Sequence, residues 1–187
     1  ANLVLFVDEK FNISSLKKHI LSTEYSFIAD LIKSRNLKKK ILTFDLSSKQ
    51  KIILVSIKKN ITSSDAENLG AKFYDLFKDL NKGEFILNSN TSSGKLKDFV
   101  GYFLHGLKLK SYVFDKYKTK KNKKNISIIA IGKNIPNKNT QIKFQAIEKG
   151  TFYSRDLVSE PGNVLHPDEY AKRLKLLQKT GLKINIY

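Results

Sequence analysis

The residues with the best claim to chemistry are Thr91-Ser92-Ser93-Gly94-Lys95, three histidines and a run of lysines. The first segment resembles the tail of a phosphate-binding P-loop, in which backbone amides and a lysine cradle phosphate oxygens while the next Ser or Thr holds magnesium. Ser89 stands where the first glycine of that pattern belongs, and Leu96 stands in place of the metal-binding hydroxyl. A helix N-cap in a polar loop is therefore the better reading. His19, His105 and His166 lie far apart and are read as surface or packing residues. Cysteine is absent, which excludes disulfides, zinc–thiolate sites, iron–sulfur clusters and thiol nucleophiles together. There is no Gly-x-Ser-x-Gly elbow and no Gly-x-Gly turn to cradle a pyrophosphate. The seventeen carboxylates contain no close pair in a recognisably catalytic setting. The chain is assigned no catalytic, cofactor-binding or metal residue.

The lysine run is Lys116, Lys118, Lys120, Lys121, Lys123 and Lys124, interleaved with Tyr112, Phe114 and Tyr117. Basic residues among aromatics can form a nucleic-acid surface. The net charge of +18 points the same way. Only Arg35, Arg155 and Arg173 are arginines, however, and base readout and bidentate phosphate contacts favour arginine over lysine. Lysine dispersed among abundant Asn and Ile is also what an A/T-rich coding sequence produces. A solvated loop is the leading reading of this run, and a DNA-binding surface the alternative.

Positioning such residues requires a fold, and 187 residues suffice for one domain with a real core plus the start of another. No apolar run approaches the roughly 20 residues needed to span a bilayer. The first seven residues lack the basic lead-in of a secretory signal, so a cytoplasmic location without membrane attachment is expected. Leu3 to Val7 reads as a buried strand and Tyr25 to Arg35 as a helix. Ile41–Phe44 and Ile52–Ile57, separated by a polar turn, read as a hairpin. Ser64-Asp65-Ala66-Glu67 reads as a capping box opening a helix whose apolar stripe is Ala66, Leu69, Phe73, Leu76, Phe77 and Leu80. Glu84–Leu87 is a further strand, and Leu96, Phe99, Val100, Phe103, Leu104 and Leu107 recur at helical spacing. The β-branched run Ile126–Ile131 is expected to be a central strand covered on both faces. A helix follows over Asn139–Val158, then one opened by Pro167 and closed by Gly181, and Leu182–Tyr187 alternates as a strand. With nothing after it to pack against, that last strand suggests a piece of a longer polypeptide. The pattern implies an α/β class: a three-layer α/β/α domain with a mixed sheet over 1–138, a linker helix over 139–160, and the first βα elements of a second domain over 161–187.

Two segments resemble a known family. Ser111-Tyr112-Val113-Phe114-Asp115-Lys116-Tyr117-Lys118-Thr119 is similar to the Ser-Tyr-Arg-Phe-Asp-x-Tyr-Lys-Thr stretch of the N-terminal domain of leucyl aminopeptidases, the cytosol aminopeptidase family. Arg155-Asp156-Leu157-Val158-Ser159-Glu160-Pro161-Gly162-Asn163-Val164-Leu165-His166-Pro167 is similar to that family's Arg-Asp-Leu-Val-Asn-Glu-Pro-Pro-Asn-x-Leu-Thr-Pro junction between its two domains. Ser159 replaces the usual Asn. His166 replaces the usual Thr, removing the preferred N-cap before Pro167.

The resemblance implies a macro-domain-like N-terminal domain, a linker helix and the beginning of a catalytic domain. It further implies a hydrolase, a metallo-aminopeptidase that removes N-terminal residues from peptides with two zinc or manganese ions held in the C-terminal domain. The motifs that hold those ions are absent from these 187 residues, so this chain alone is expected to be non-catalytic and to serve assembly or access. Implied partners are its own catalytic domain, a homo-hexamer of the parent enzyme, peptide substrates and, in some members, DNA. A macro-like fold also raises ADP-ribose binding, for which the glycine-rich phosphate loops are missing.

Overall fold

Short β-branched segments separated by amphipathic helices become a single mixed sheet in the computed structural model, which describes residues 1–35, 37–80, 83–92, 96–120 and 126–187. The strands are β1 (Asn2–Val7), β2 (Ile41–Asp45), β3 (Lys51–Ser56), β4 (Gly83–Asn88) and β5 (Ile126–Ile131), in the spatial order β2-β3-β1-β4-β5. β1 runs parallel to β3 and β4, and β5 parallel to β4; β2 is antiparallel to β3, as the hairpin reading requires. The helices are α1 (Ser22–Ser34), α2 (Ser63–Phe77), α3 (Phe99–Lys110), α4 (Lys138–Ser159) and α5 (Pro167–Lys175). Among the described residues no helix is long and apolar enough to cross a membrane.

Alternation along each strand sends side chains to opposite faces, and each face has its own core. On one side Val4, Phe6, Ile53, Val55 and Phe85 pack under Phe73 and Phe77 of α2 and Phe99 and Phe103 of α3. Edge-to-face rings lock this layer, with Phe6 to Phe99 at 5.1 Å and Phe73 to Phe85 at 5.2 Å. On the other side Leu5, Val7, Leu42, Phe44, Ile52 and Leu54 pack against Ile28 of α1 and Leu16 of the preceding single turn Ser14–Lys18. The three-layer α/β/α arrangement with a mixed sheet is thus present.

α2 and α3 touch backbone to backbone. A Cβ on Gly70 would lie 1.8 Å from the Phe103 carbonyl oxygen, and one on Gly106 would lie 1.9 Å from that of Glu67. Only residues without a side chain permit this approach.

Several expectations are corrected. The cap of α2 is Thr62, whose Oγ1 accepts from the Asp65 amide at 3.1 Å while the Asp65 carboxylate accepts from the Thr62 amide. Ser64 and Glu67 satisfy the same four-residue pattern, but Ile61 lies in the core cluster with Ala66, a staple that begins the helix two residues earlier. The buried face of α2 includes Gly70 and Tyr74, whereas Leu76 is 60% exposed and Leu80 lies beyond the helix end. β5 is an edge strand, not a central one: Ile126, Ile128 and Ala130 are half-buried, and Ile129 is 62% exposed. A β-branched run specifies extended backbone without saying how many neighbours it has. Residues 182–187 pair with none of the described strands, so the expected strand is not formed.

α4 has no fully buried residue and lies along α3. Its Phe144 ring packs on Tyr102 and on His105, each at 5.1 Å, over Gly101.

Candidate functional site

The C-terminal end of α3 runs into a loop, residues 111–118, that turns back toward the end of α4. Ser111 Oγ donates to the Lys108 carbonyl and closes the helix. Tyr112 then lies on Phe152 of α4 at 5.2 Å between ring centres and donates its hydroxyl to Asp156 Oδ1 at 2.8 Å. The Arg155 guanidinium covers the Tyr112 ring at 5.4 Å and donates to the Leu109 carbonyl at 2.6 Å. One aromatic side chain is therefore held at its ring and its hydroxyl by residues within little more than one turn of α4. Burial, and the Asp156 carboxylate next to it, raise the Tyr112 phenol above its ordinary pKa.

The second half of the loop meets Glu160, one residue past α4. Lys116 Nζ donates to Glu160 Oε1, and the Tyr117 hydroxyl donates to Oε2. Arg173 of α5 donates through Nη1 to the same Oε1 at 2.9 Å and through Nε to Glu169 Oε1 at 2.9 Å. The Tyr153 hydroxyl of α4 donates to the Arg173 carbonyl at 2.9 Å. The Glu160 side chain is only 1% exposed, while Lys116 remains half in solvent. Hydrogen bonds from Lys116, Tyr117 and Arg173 hold the Glu160 carboxyl at a pKa of about 2. The partners move in the matching direction: Lys116, Tyr117 and Arg173 are all raised, chiefly by that carboxylate. A single carboxylate thus joins the loop, the end of α4 and α5.

The two segments that carry the family resemblance, 111–119 and 155–167, are 36 or more residues apart in sequence and form one contiguous structure here. Clefts open on both sides of Tyr112. One of about 920 Å³ is bounded by Tyr74 and Asp75 of α2, its C-cap Lys78, Lys110, Asp115 and Arg155. The other, about 600 Å³, runs past Phe152 and Glu160 to Arg173. In the larger cleft Asp75 is paired with Lys78 at 3.2 Å and with Lys110 at 3.1 Å.

Beyond the carboxyl ends of the parallel strands, where an open α/β sheet usually binds ligands, the loops after β4 and β5 are tied together beside a cavity of about 310 Å³ bounded by Ser92, Asp98, Lys133 and Asn134. Thr91 Oγ1 accepts from the Phe6 amide at 2.9 Å and donates to the Asn88 carbonyl at 2.8 Å. Asn134 spans to Ser89, and Asn90 Oδ1 accepts from the Lys133 amide at 2.7 Å. Gly132, at φ +105°, sits so close to Ser89 that a Cβ would lie 2.6 Å from its hydroxyl. Residues 93–95 of the P-loop-like segment lie outside the described residues.

Of the lysine run, Lys116 is bonded to Glu160, Lys118 and Lys120 are exposed, and Lys121, Lys123 and Lys124 lie outside the described residues. His19 Nδ1 lies 3.2 Å from Asn88 Nδ2, and His166 begins α5 without a side-chain cap bond. His105, nearly buried, lies 3.3 Å from Glu148 Oε1 and 4.0 Å from Glu67 Oε1. Its ring faces Phe144, and among the described residues no group of three His, Cys, Asp or Glu is arranged to hold a metal ion. Asp156, Glu160 and Arg173, the residues that bind the two segments together, have no signal in composition or periodicity. Asp156 and Glu160 were legible only as letters of the second similar segment, and Arg173 lies in neither segment.

No family model matches the chain. Over 98% of its length it is 27% identical to a probable cytosol aminopeptidase of Nitrobacter winogradskyi, and it covers 40% of that protein. A probable cytosol aminopeptidase of Sinorhizobium fredii is 39% identical over 90 residues, 44% of this chain and 18% of the relative. Among solved structures, a mutant tomato leucine aminopeptidase superimposes with a TM-score of 0.71 at 14% identity, covering 96% of this chain and 39% of that one. The cytosol aminopeptidase of Coxiella burnetii gives 0.63 at 17% identity, covering 95% and 35%. A bottromycin maturation enzyme solved in complex with Mn gives 0.64 at 13% identity, covering 96% and 36%. The chain spans about two-fifths of the length of its first relative, and it is similar to the N-terminal part of the leucine and cytosol aminopeptidases.

Proposed function

We propose that this chain is the N-terminal accessory part of a cytoplasmic, metal-dependent aminopeptidase that removes N-terminal residues from peptides. The observation that carries this reading is the convergence of the two family-like segments on Glu160, in a chain matching cytosol aminopeptidases over nearly its whole length. On this reading residues 1–138 are the accessory domain, α4 is the connector, and 161–187 open the catalytic domain. The Glu160 node sets the direction in which the chain leaves α4, because it accepts two donors from the 111–118 loop and one from α5. Its role is assembly and access, within a homo-hexamer, and not chemistry.

A metal pair supplies a polarised carbonyl and an activated water in such enzymes. The described residues do not fit it: the one histidine flanked by two carboxylates, His105, is packed against Phe144 with both ring nitrogens facing those carboxylates. The reading therefore assigns the two zinc or manganese ions to residues beyond this chain. The test is hydrolysis of a fluorogenic leucine amide with added manganese or zinc, by this chain and by the product of the full reading frame. Activity in the longer product alone is the expected result. Activity of the 187-residue chain, or inactivity of both, overturns it.

A further inference from the structure

We propose that His105 is a proton-operated clasp for α4: its charged ring draws Glu148 of α4 and Glu67 of α2 together, and its neutral ring lets the middle of α4 loosen. The ring stands on α3 with Nδ1 3.3 Å from Glu148 Oε1 and Nε2 4.0 Å from Glu67 Oε1. A neutral imidazole carries one N–H, so in either tautomer one carboxylate faces a bare lone pair. The imidazolium presents an N–H to each. α2, α3 and α4 close this pocket by themselves, leaving the His105 side chain 5% and that of Glu148 17% exposed.

The two carboxylates differ in freedom. Glu67 cannot withdraw, because its backbone lies against Gly106, where a Cβ would come 1.9 Å from the Glu67 carbonyl oxygen. Glu148 moves with α4, a helix that buries none of its residues fully and whose Phe144 packs on the His105 ring. Undocking α4 therefore takes one carboxylate and the Phe144 cover away from the ring and leaves the other carboxylate in place.

Among the described residues the charged groups facing the ring are Glu67 from α2 and Glu148 from α4. α3 itself adds Lys108, exposed at the rim of a cavity of about 620 Å³ that His105 and Glu148 also line, and β5 lines it with Ile126, Ile128 and Ala130 alone. Covering by Phe144 favours the neutral ring; the Glu148 charge, itself largely out of water, opposes this and prevails. Proton and helix are then linked reciprocally: whatever factor docking adds to the ring's hold on its proton, the proton adds to the hold on α4. Imidazole changes charge near neutrality, so the clasp closes on the acid side of that range and opens on the alkaline side. It is a property of these three helices, and holds whether or not a longer product is a peptidase.

The test uses the whole 187-residue chain and two NMR readouts between about pH 5.5 and 8, the range in which imidazole titrates. One is the His105 ring resonance; the other is amide exchange along α4, divided by the unstructured rate at each pH. Protection of α4 is expected to fall about tenfold across this range, in step with the ring titration, while β1 and β3 stay unchanged. Glu148→Gln keeps the size and hydrogen-bonding capacity of the side chain and removes its charge. It should flatten the α4 profile and move the ring titration to lower pH by the same factor. His105→Gln should flatten the profile likewise, and the Glu148 variant decides even if that one does not fold. A flat profile in the parent, protection that rises with pH, or a fall that survives Glu148→Gln overturns the proposal. An equal fall in β1 and β3 overturns it too, because it reports loosening of the whole chain.

Discussion

Replacing Gly106 with alanine sets two physical effects of opposite sign against each other. In an isolated helix the change stabilises, because alanine is better than glycine by about 1 kcal/mol. Here the new Cβ would lie 1.9 Å from the Glu67 carbonyl oxygen, 2.4 Å from its carbon and 2.5 Å from the Glu67 Cα. None of these is the movable end of a side chain. Ordinary contact begins near 3.4 Å, so α2 and α3 must part by about 1.5 Å. That separation opens the Phe73–Phe103 contact, now 5.6 Å between ring centres. Overpacking of this kind costs about 3 kcal/mol, which leaves a net loss of about 2 kcal/mol after the helix gain. For a chain of this size the midpoint of thermal unfolding should fall by about 4–8 °C, read by circular dichroism at 222 nm. Gly150, also helical but with nothing within 4 Å of an added Cβ, is the control: Gly150→Ala should raise the midpoint by about 2–4 °C. If Gly106→Ala also raised the midpoint, the backbone contact between α2 and α3 would be refuted.

Acid should unfasten the Glu160 node. Its carboxyl titrates at about 2 in the folded chain, below the ordinary carboxylate range, so it contributes stability above that range and loses it as the pH falls through about 2. Glu160→Gln should lower the urea midpoint at neutral pH and flatten its decline below pH 4.5; an acid limb identical to the parent's would show that another carboxylate governs it. Tyr112→Phe removes the bond to Asp156 and should increase protease cleavage in the 111–118 loop. Difference absorbance of the parent should also show two tyrosines, Tyr112 and Tyr117, ionising above the ordinary range where the variant shows one, and an unchanged titration would contradict the Asp156 contact. Phe144→Ala strips the ring that α4 lays on Tyr102 and His105 and should speed amide exchange along α4 without altering the sheet; uniform acceleration would mean that α4 is integral to the core.

The sequence by itself determined the elements and their class. Alternating apolar strands, helical stripes and a polar hairpin turn are local signals, set by side-chain period and backbone preference, and nearly all of them fold where they fall. It also carried the two segments that resemble the cytosol aminopeptidases, though without saying that they meet. Tertiary structure alone decided the rest. Ile126–Ile131 became an edge because strand order depends on which helices cross which face, a property of the whole sheet. Leu182–Tyr187 stayed unpaired because a strand exists only with a neighbour. Thr62 displaced Ser64 as the cap because burial of Ile61 with Ala66 chose between two equivalent local patterns. The letters around Glu160 say nothing of its partners. It became the joint of the molecule because folding delivers Lys116, Tyr117 and Arg173 to one carboxylate, and hydrogen bonds between residues distant in sequence are properties of three dimensions alone.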